Sequence, residues 1–130
     1  MTNGDEFLGH VLELLAPLGR VAARRMFGGH GLYCDDVFFA ILLDNTLYLK
    51  VDEVNRAEFE RAGCEIFSYP RKGRRATLNF HRAPEDAMDT PHLMLPWARS
   101  AVAAALRARA VKASRRRPLG KKTGRRAGGR

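Results

Sequence analysis

The run Gly28-Gly29-His30-Gly31 is the first place in this sequence where the backbone could cradle a phosphate group. A phosphate cradle needs the spacing G-x-x-x-x-G-K-[ST] or G-x-G-x-x-G and a helix N-terminus directly after the glycines. Neither spacing occurs here, and a strand pattern follows the run. The glycines therefore predict a bend or bulge that needs positive φ or a close backbone approach. A ligand-binding or uncharacterised catalytic site beside the bend is the alternative.

The histidines, serines and cysteines lack the spacing of a catalytic or metal site. The four histidines fall on four different predicted elements, without an H-x-x-x-H or H-E-x-x-H pattern; they are His10, His30, His81 and His92. The sequence has no G-x-S-x-G nucleophile elbow. Cys34 and Cys64 lie in separate predicted strands and are interpreted as buried, reduced thiols.

Neighbouring carboxylates occur at three places, Asp35-Asp36, Asp52-Glu53 and Glu85-Asp86, each beside a predicted turn or helix start. Turn chemistry and the helix dipole account for acidic residues at such positions. A catalytic pair must also face across a cleft, which no spacing here indicates. The sequence therefore predicts no enzyme, no metal site and no cofactor.

Basic residues are concentrated at the C-terminal end of the chain. The first 106 residues hold 12 basic and 14 acidic residues, whereas the last 24 hold 11 basic residues and no acidic one. The formal charge of +9 is therefore divided into a slightly acidic part and a strongly basic end. The basic residues of the C-terminal segment are Arg115, Arg116, Arg117, Lys121, Lys122, Arg125, Arg126 and Arg130.

A segment of this kind binds phosphate backbones electrostatically and without reading sequence, because it has no aromatic ring on which a base could stack. A solubilising segment without a specific partner is the alternative. The absence of aromatic anchors in residues 114–130 argues against attachment to a membrane. Two smaller basic groups, Arg24-Arg25 and the four cations of residues 71–75, are each typical of solvated turns.

Two of three predicted helices lie in the first half of the chain. Apolar residues recur at i, i+3, i+4 and i+7 within residues 7–18, and Pro17 with Gly19 ends that pattern. A short middle helix is predicted to end at Ala62, with Asn55 and Glu58 as its capping box and Gly63 as its C-terminal cap.

A long C-terminal helix follows two start signals, Thr90-Pro91 and Pro96. We predict that it begins at Pro96 and ends near Lys112, because proline is disfavoured inside a helix. Beyond Ala113 the chain has too few apolar residues to offset the entropy of ordering, so a disordered segment is expected.

Period-two alternation predicts the strands, which cover residues 21–27, 32 onward, 37–43, 46–52, 65–69 and 75–82. Residues 37–43 are apolar at every position, which is typical of a central strand covered on both faces. Asp44-Asn45 predicts a two-residue hairpin turn. The pattern indicates a single α+β domain with an antiparallel sheet of five or six strands, an N-terminal helix, a short middle helix and a long C-terminal helix.

Two units are therefore expected, a folded domain at residues 1–110 and a basic, disordered segment at 111–130. The longest uncharged apolar run is far shorter than the roughly 20 residues of a membrane span, and acidic residues near the N-terminus argue against a signal peptide. A cytoplasmic location is expected. Self-association is an open alternative, since the strand at 37–43 and the Ala-rich final helix could serve a dimer.

Several motifs occur here in the order found in one known family. Residues 24–33, RRMFGGHGLY, precede LYLKVD at 47–52, Asn55-Arg56, FSY at 67–69 and LPWA at 95–98. Together they resemble the TfoX/Sxy N-terminal domain family. The resemblance implies an α+β domain and structural roles for residues Arg25, Met26, Phe27, Gly28, Gly29, Gly31 and Tyr33.

The resemblance also implies a regulatory function, since members of the family are activators of DNA-uptake competence genes that act with a transcription factor. It implies no catalytic residue or cofactor. It covers one of the two domains of the full-length competence regulators, and here the basic segment follows instead. We therefore expect a cytoplasmic regulatory or interaction protein with a protein partner and a segment that binds nucleic acid.

Overall fold

The computed structural model of the chain describes residues 3–26 and 28–116. Its elements in chain order are α1 (Asn3–Leu14), β1 (Val21–Met26), β2 (Gly29–Cys34), β3 (Val37–Leu43), β4 (Thr46–Lys50), α2 (Arg56–Arg61), β5 (Ile66–Arg71), β6 (Arg74–Arg82) and α3 (Pro91–Arg116). Two 3-10 turns, Ala16–Leu18 and Glu85–Met88, follow α1 and precede α3. The predicted α+β class is confirmed.

The six strands form one antiparallel sheet in the order β1-β2-β3-β4-β6-β5. Asp44 and Asn45 both have positive φ, at 52° and 55°, which is the backbone of a two-residue hairpin turn between β3 and β4. Asp35 and Asp36, at 49° and 66°, form the equivalent turn between β2 and β3. β6 pairs with β4 and β5, so β1 and β5 are the two edge strands.

β3 is apolar throughout for a reason other than cover on both faces. The pairing with β2 shifts by one residue, because Leu32 pairs with Ala40 and Tyr33 pairs with Phe38. Phe39 is the extra residue of this β-bulge, and both Phe39 and Ala40 are fully buried on the helix side. The prediction of two covered faces was wrong, because the helices pack on one face of the sheet within the described residues.

The core lies between that face of the sheet and the three helices. α3 packs on β3 and β4 through small side chains, since Ala98, Ala101 and Ala105 are buried in the core cluster. Small residues let the helix axis approach the strands closely, and Met94 fills the space nearer the helix start. These three alanines therefore lie within the fold.

Both ends of α3 differ from the prediction. The helix begins at Pro91 rather than Pro96, because Thr90 Oγ1 accepts a hydrogen bond from the N–H of Leu93 at 3.2 Å and caps the first turn. Pro96 lies within the helix. The helix also continues past Lys112 to Arg116. No helix among the described residues is long and apolar enough to cross a membrane.

Candidate nucleic-acid interface

The described residues of the family motif lie along the hairpin of β1 and β2 at one edge of the sheet. Arg25 and Met26 end β1, Gly28 occupies the turn with φ +80°, and the motif residues Gly29, Gly31 and Tyr33 lie along β2. Phe27 lies outside the described residues. The predicted bend is therefore shorter than the glycine run, because β2 already begins at Gly29.

Close packing explains two of the motif glycines. A Cβ at Gly31 would lie 3.0 Å from both Met26 Sδ and Phe38 Cε1, and one at Gly29 would overlap the carbonyl oxygen of Leu42. Gly28 needs its left-handed backbone instead. The glycines thus allow side chains and a neighbouring strand to approach, in agreement with the bend or close approach inferred from the sequence.

The small-molecule alternative placed a site beside this bend. Two surface grooves within the described residues lie elsewhere, one at Glu58, Arg61, Ala62, Pro96 and Trp97 and the other at Tyr48, Glu65, Ile66 and Ser68. The first is on the helix side and the second at the β5 end of the sheet. Neither groove includes a residue of the glycine bend.

The basic C-terminal segment is described only at its beginning. Arg115 is exposed in the last turn of α3, and Arg116 ends that helix. The other residues assigned to nucleic-acid binding lie outside the described residues, namely Arg117, Lys121, Lys122, Arg125, Arg126 and Arg130. Helix α3 thus carries the chain four residues further than expected before the described structure ends.

The face of the sheet opposite the helices carries a group of side chains that the sequence analysis did not assemble. We call it the open sheet face. Strand register and alternation place on it Arg24, Met26, Tyr33, Phe38, Ile41, Tyr48, Lys50, Phe67, Tyr69, Arg71, Arg74, Phe80 and Arg82. One signal was available in β4, where Tyr48 and Lys50 alternate with buried leucines.

Aromatic rings form two connected groups on the open sheet face. Phe38 lies 5.1 Å from Tyr33 and 5.5 Å from Phe80 between ring centroids. Phe67 lies 4.8 Å from Tyr48 and 6.1 Å from Tyr69. Phe67 and Phe80 are buried beneath their neighbours, whereas the three tyrosines are half-exposed. All three tyrosines of the chain lie on this face.

Cations lie directly over these rings. The guanidinium carbon of Arg24 is 4.7 Å from the centroid of Tyr33, and Lys50 Nζ is 5.0 Å from that of Phe80. Burial lowers the pKa of the Lys50 ammonium, and the nearby charge of Asp52 partly opposes this shift. The open sheet face thus holds positive charge against an aromatic surface.

The six strands are charged with one sign only. They contain seven basic residues, Arg24, Arg25, Lys50, Arg71, Arg74, Arg75 and Arg82, and no aspartate or glutamate. Every acidic residue of the chain lies in a helix, a turn or a loop instead. Glu65, just before β5, pairs with Arg82 at 3.8 Å through two exposed side chains. Five of the seven strand cations lie on the open sheet face, so the slightly acidic domain has one basic face.

Two of the four histidines donate hydrogen bonds to backbone carbonyls. The imidazole Nε2–H of His10 donates to the Met88 carbonyl at 3.1 Å, and His81 Nδ1–H donates to the Cys64 carbonyl at 2.8 Å. His81 is buried, and its Nε2 has no hydrogen-bond partner among the described residues. Cys34 and Cys64 are buried free thiols, as predicted, and burial raises the pKa of both.

Within residues 3–26 and 28–116, no group of three or more His, Cys, Asp or Glu residues is arranged to hold a metal ion.

A polar junction links the end of β4 to α2 and α3. Asp52 accepts two hydrogen bonds from Arg107, with Nε donating to Oδ2 at 2.5 Å and Nη2 to Oδ1 at 2.9 Å. The N–H groups of Val54 and Asn55 also donate to Oδ1. The hydrogen bond from Arg107 is the largest cause of the lowered pKa of Asp52, although burial opposes it. The Arg107 side chain is therefore already paired with a carboxylate of the domain.

Asn55 does not cap α2 as the sequence predicted. Its Oδ1 accepts from the N–H of Asp52 at 2.8 Å, and its Nδ2 donates to the Lys50 carbonyl at 3.2 Å and to Ser100 Oγ at 3.0 Å. The side chain is buried between β4 and α3, so it is turned away from the first turn of α2. Gly63 does end the helix as predicted, with φ +75°.

We expect Asp52→Asn to lower the free energy of unfolding by about 1 kcal/mol near neutral pH, since the partly exposed pair loses its charge. Because the pair holds the folded-state pKa below the ordinary 3.8, its stabilisation is present above that pH and is lost as pH falls through the lowered value. Denaturant unfolding across pH measures this difference. Glu53→Gln, at an exposed neighbour, is the control. A difference in unfolding free energy between the native and Asp52→Asn proteins that stays the same in acid would contradict the prediction.

The sequence profile of the TfoX N-terminal domain matches residues 13–105, from within α1 to near the middle of α3. The chain belongs to this family. The matched residues include all six strands and hence the open sheet face. The basic residues from Arg107 onward lie beyond the match.

Curated relatives of this TfoX N-terminal domain come from three bacteria. DNA transformation protein TfoX1 of Aliivibrio fischeri is 40% identical over 68 residues, which are 52% of this chain and 32% of the relative. Protein Sxy of Escherichia coli is 30% identical over 105 residues, 81% of this chain and 50% of the relative. DNA transformation protein TfoX of Haemophilus influenzae is 32% identical over 88 residues, 66% and 41% respectively. The chain thus spans half or less of each relative.

Proposed function

We propose that this protein is a non-enzymatic, cytoplasmic regulator of DNA transformation or competence genes, in which the folded domain contacts a protein partner such as a transcription factor. The match to the TfoX N-terminal domain over residues 13–105 carries this proposal, because two matched relatives bear the name DNA transformation protein. The basic segment at 111–130 adds a non-specific contact to nucleic acid.

Charge separation supports the contact to nucleic acid. The residues from Arg107 onward include 11 basic residues and no acidic one, so their charge is not neutralised within that stretch. Arg107 is paired with Asp52 and Arg109 donates to the Asp36 carbonyl at 3.4 Å, both on the domain. Beyond them, each cation that meets a phosphate releases a counterion and strengthens binding at low salt.

Replacing the eight basic residues Arg115, Arg116, Arg117, Lys121, Lys122, Arg125, Arg126 and Arg130 with glutamine tests the segment. We expect the full-length variant to bind duplex DNA at least about tenfold more weakly at low salt, with a shallower dependence of log K on log salt. Fluorescence anisotropy against salt measures both. Glutamine at Arg20, Arg61 and Arg99, which are exposed on the domain, is the control. Equal affinity of native and variant chains would remove the segment from the proposal.

The regulatory role is tested in the source organism with the same two variants. Deleting the gene should lower competence-gene transcripts and the frequency of transformation, and restoring the native chain should recover both. The segment variant should recover less than the native chain, whereas the domain control should recover fully. Transcripts and transformation that do not change on deletion would contradict the regulatory role.

A further inference from the structure

We propose that the open sheet face binds single-stranded nucleic acid, with bases stacking on Tyr33, Tyr48 and Tyr69. This goes beyond the phosphate contact proposed for residues 111–130 and does not depend on it. The two contacts also differ in kind, because the segment has no ring on which a base can stack. The rings and the cations of the open sheet face support this binding.

The tyrosines present the aromatic part of the site. Each is half-exposed and rests against a phenylalanine of the same face, Tyr33 on Phe38 and the other two on Phe67. Packing against a partly or fully buried ring limits the movement of each tyrosine, so little conformational freedom is lost when a base stacks on it. Rings on a sheet are a known means of stacking the bases of single strands.

The cations make the same surface fit a phosphate backbone. Arg24 lies 4.7 Å from the Tyr33 ring, so a base stacked on the tyrosine would bring its phosphates near a guanidinium. Lys50 sits over Phe80 in a partly desolvated position, where burial lowers its pKa. A phosphate beside it would supply the counter-charge that favours the ammonium form.

The charge of the strands distinguishes nucleic acid from other occupants. A second copy would place the five basic residues of the open sheet face against their own copies, and the strands hold no acidic residue to pair with them. An acidic protein segment would satisfy the cations but would leave the tyrosines without bases to stack. Duplex DNA keeps its bases stacked internally, so only a single strand uses both rings and cations.

Binding of a short fluorescent oligothymidylate and of a duplex of equal length to the full chain tests the proposal. Tyr33→Leu and Tyr69→Leu, on different strands, should each weaken single-strand binding about fivefold or more and leave duplex binding unchanged. Arg24→Gln should also weaken single-strand binding, whereas Arg99→Gln, exposed on α3, should not. Circular dichroism and melting temperature confirm that each variant is folded.

Ultraviolet cross-linking of the unmodified protein gives a readout that needs no folded variant. Cross-linked peptides should contain Tyr33, Tyr48 or Tyr69. Cross-links confined to residues 111–130 would overturn the proposal, as would tyrosine variants that bind both nucleic acids like the native chain. Competition by polyglutamate as strong as by oligothymidylate would also overturn it, in favour of an acidic protein.

The eight-residue glutamine variant separates this proposal from the function of the C-terminal segment. It should bind single strands and duplex more weakly by a similar factor and keep the native preference for the single strand. If the segment contributes nothing, the tyrosine variants still test the open sheet face by the change in that preference. If the eight-residue glutamine variant no longer prefers the single strand over the duplex, the role of the tyrosines is overturned.

Discussion

Gly29→Ala is expected to lower the free energy of unfolding by about 3 kcal/mol, because the added methyl group would overlap a backbone atom. A Cβ at this position would meet the carbonyl oxygen of Leu42 and would lie 3.2 Å from Leu43 Cδ1. A flexible side chain could turn aside, but the backbone of β3 can move only with the strands paired to it. Chemical denaturation of the native and variant proteins measures the loss.

Two other glycines provide controls, one substitution that should stabilise the protein and one that should destabilise it slightly. A Cβ at Gly9, within α1, meets nothing within 4 Å, so Gly9→Ala should stabilise the protein by about 0.5 to 1 kcal/mol through its higher helix propensity. Gly28 also has free space but a φ of +80°, so Gly28→Ala should cost about 1 kcal/mol in strain. A Gly29→Ala protein as stable as the native protein would show that β3 adjusts without cost.

Asn55→Ala is expected to lower the free energy of unfolding by about 3 kcal/mol as well. Its buried amide joins the end of β4 to α3, and alanine would leave the N–H of Asp52 and the carbonyl of Lys50 without these partners. Each unsatisfied buried group costs roughly 1 to 3 kcal/mol. The carbonyl and hydroxyl of Ser100, also bound to Asn55 Nδ2, would lose a donor too.

Asn55→Asp separates hydrogen bonding from packing. Aspartate keeps the size and the acceptor of asparagine, but it places a carboxylate oxygen against the carbonyls of Lys50 and Ser100, where a donor is needed. We expect it to be at least as destabilising as alanine. Asn79→Ala, at an exposed position on β6, should change stability by less than about 0.5 kcal/mol. An Asn55→Asp protein of native stability would show that the amide is not needed as a donor.

Local patterns in the sequence predicted the strands and turns, because neighbouring residues determine much of the backbone conformation of these elements. Asp44-Asn45 predicted a two-residue turn, since few residues other than glycine tolerate positive φ as asparagine and aspartate do, and both have it. The alternation at 46–52 likewise separated Leu47 and Leu49 from Tyr48, and the first two are buried. Where a distant partner intervened, the same reasoning was wrong, as with the capping box at Asn55, whose amide is bound to Ser100.

The start of α3 shows the same limit. Pro96 was predicted to begin the helix, because proline removes one backbone donor and clashes with the preceding turn. Contacts of Met94 in the core and the cap at Thr90 favour a helix from Pro91 that includes this proline. Tertiary packing outweighed a local preference, and no local pattern carries the information about such packing.

The sequence by itself determined the class of the fold, the hairpin turns, the buried thiols and the division of charge between the domain and residues 107–130. These follow from backbone preferences and from residue counts, which need no knowledge of distant contacts. Only the tertiary structure decided that the helices cover one face of the sheet and that β6 lies between β4 and β5. It thereby brought three tyrosines and five basic residues from four strands onto one surface, because such neighbours are far apart along the chain and meet only through strand pairing.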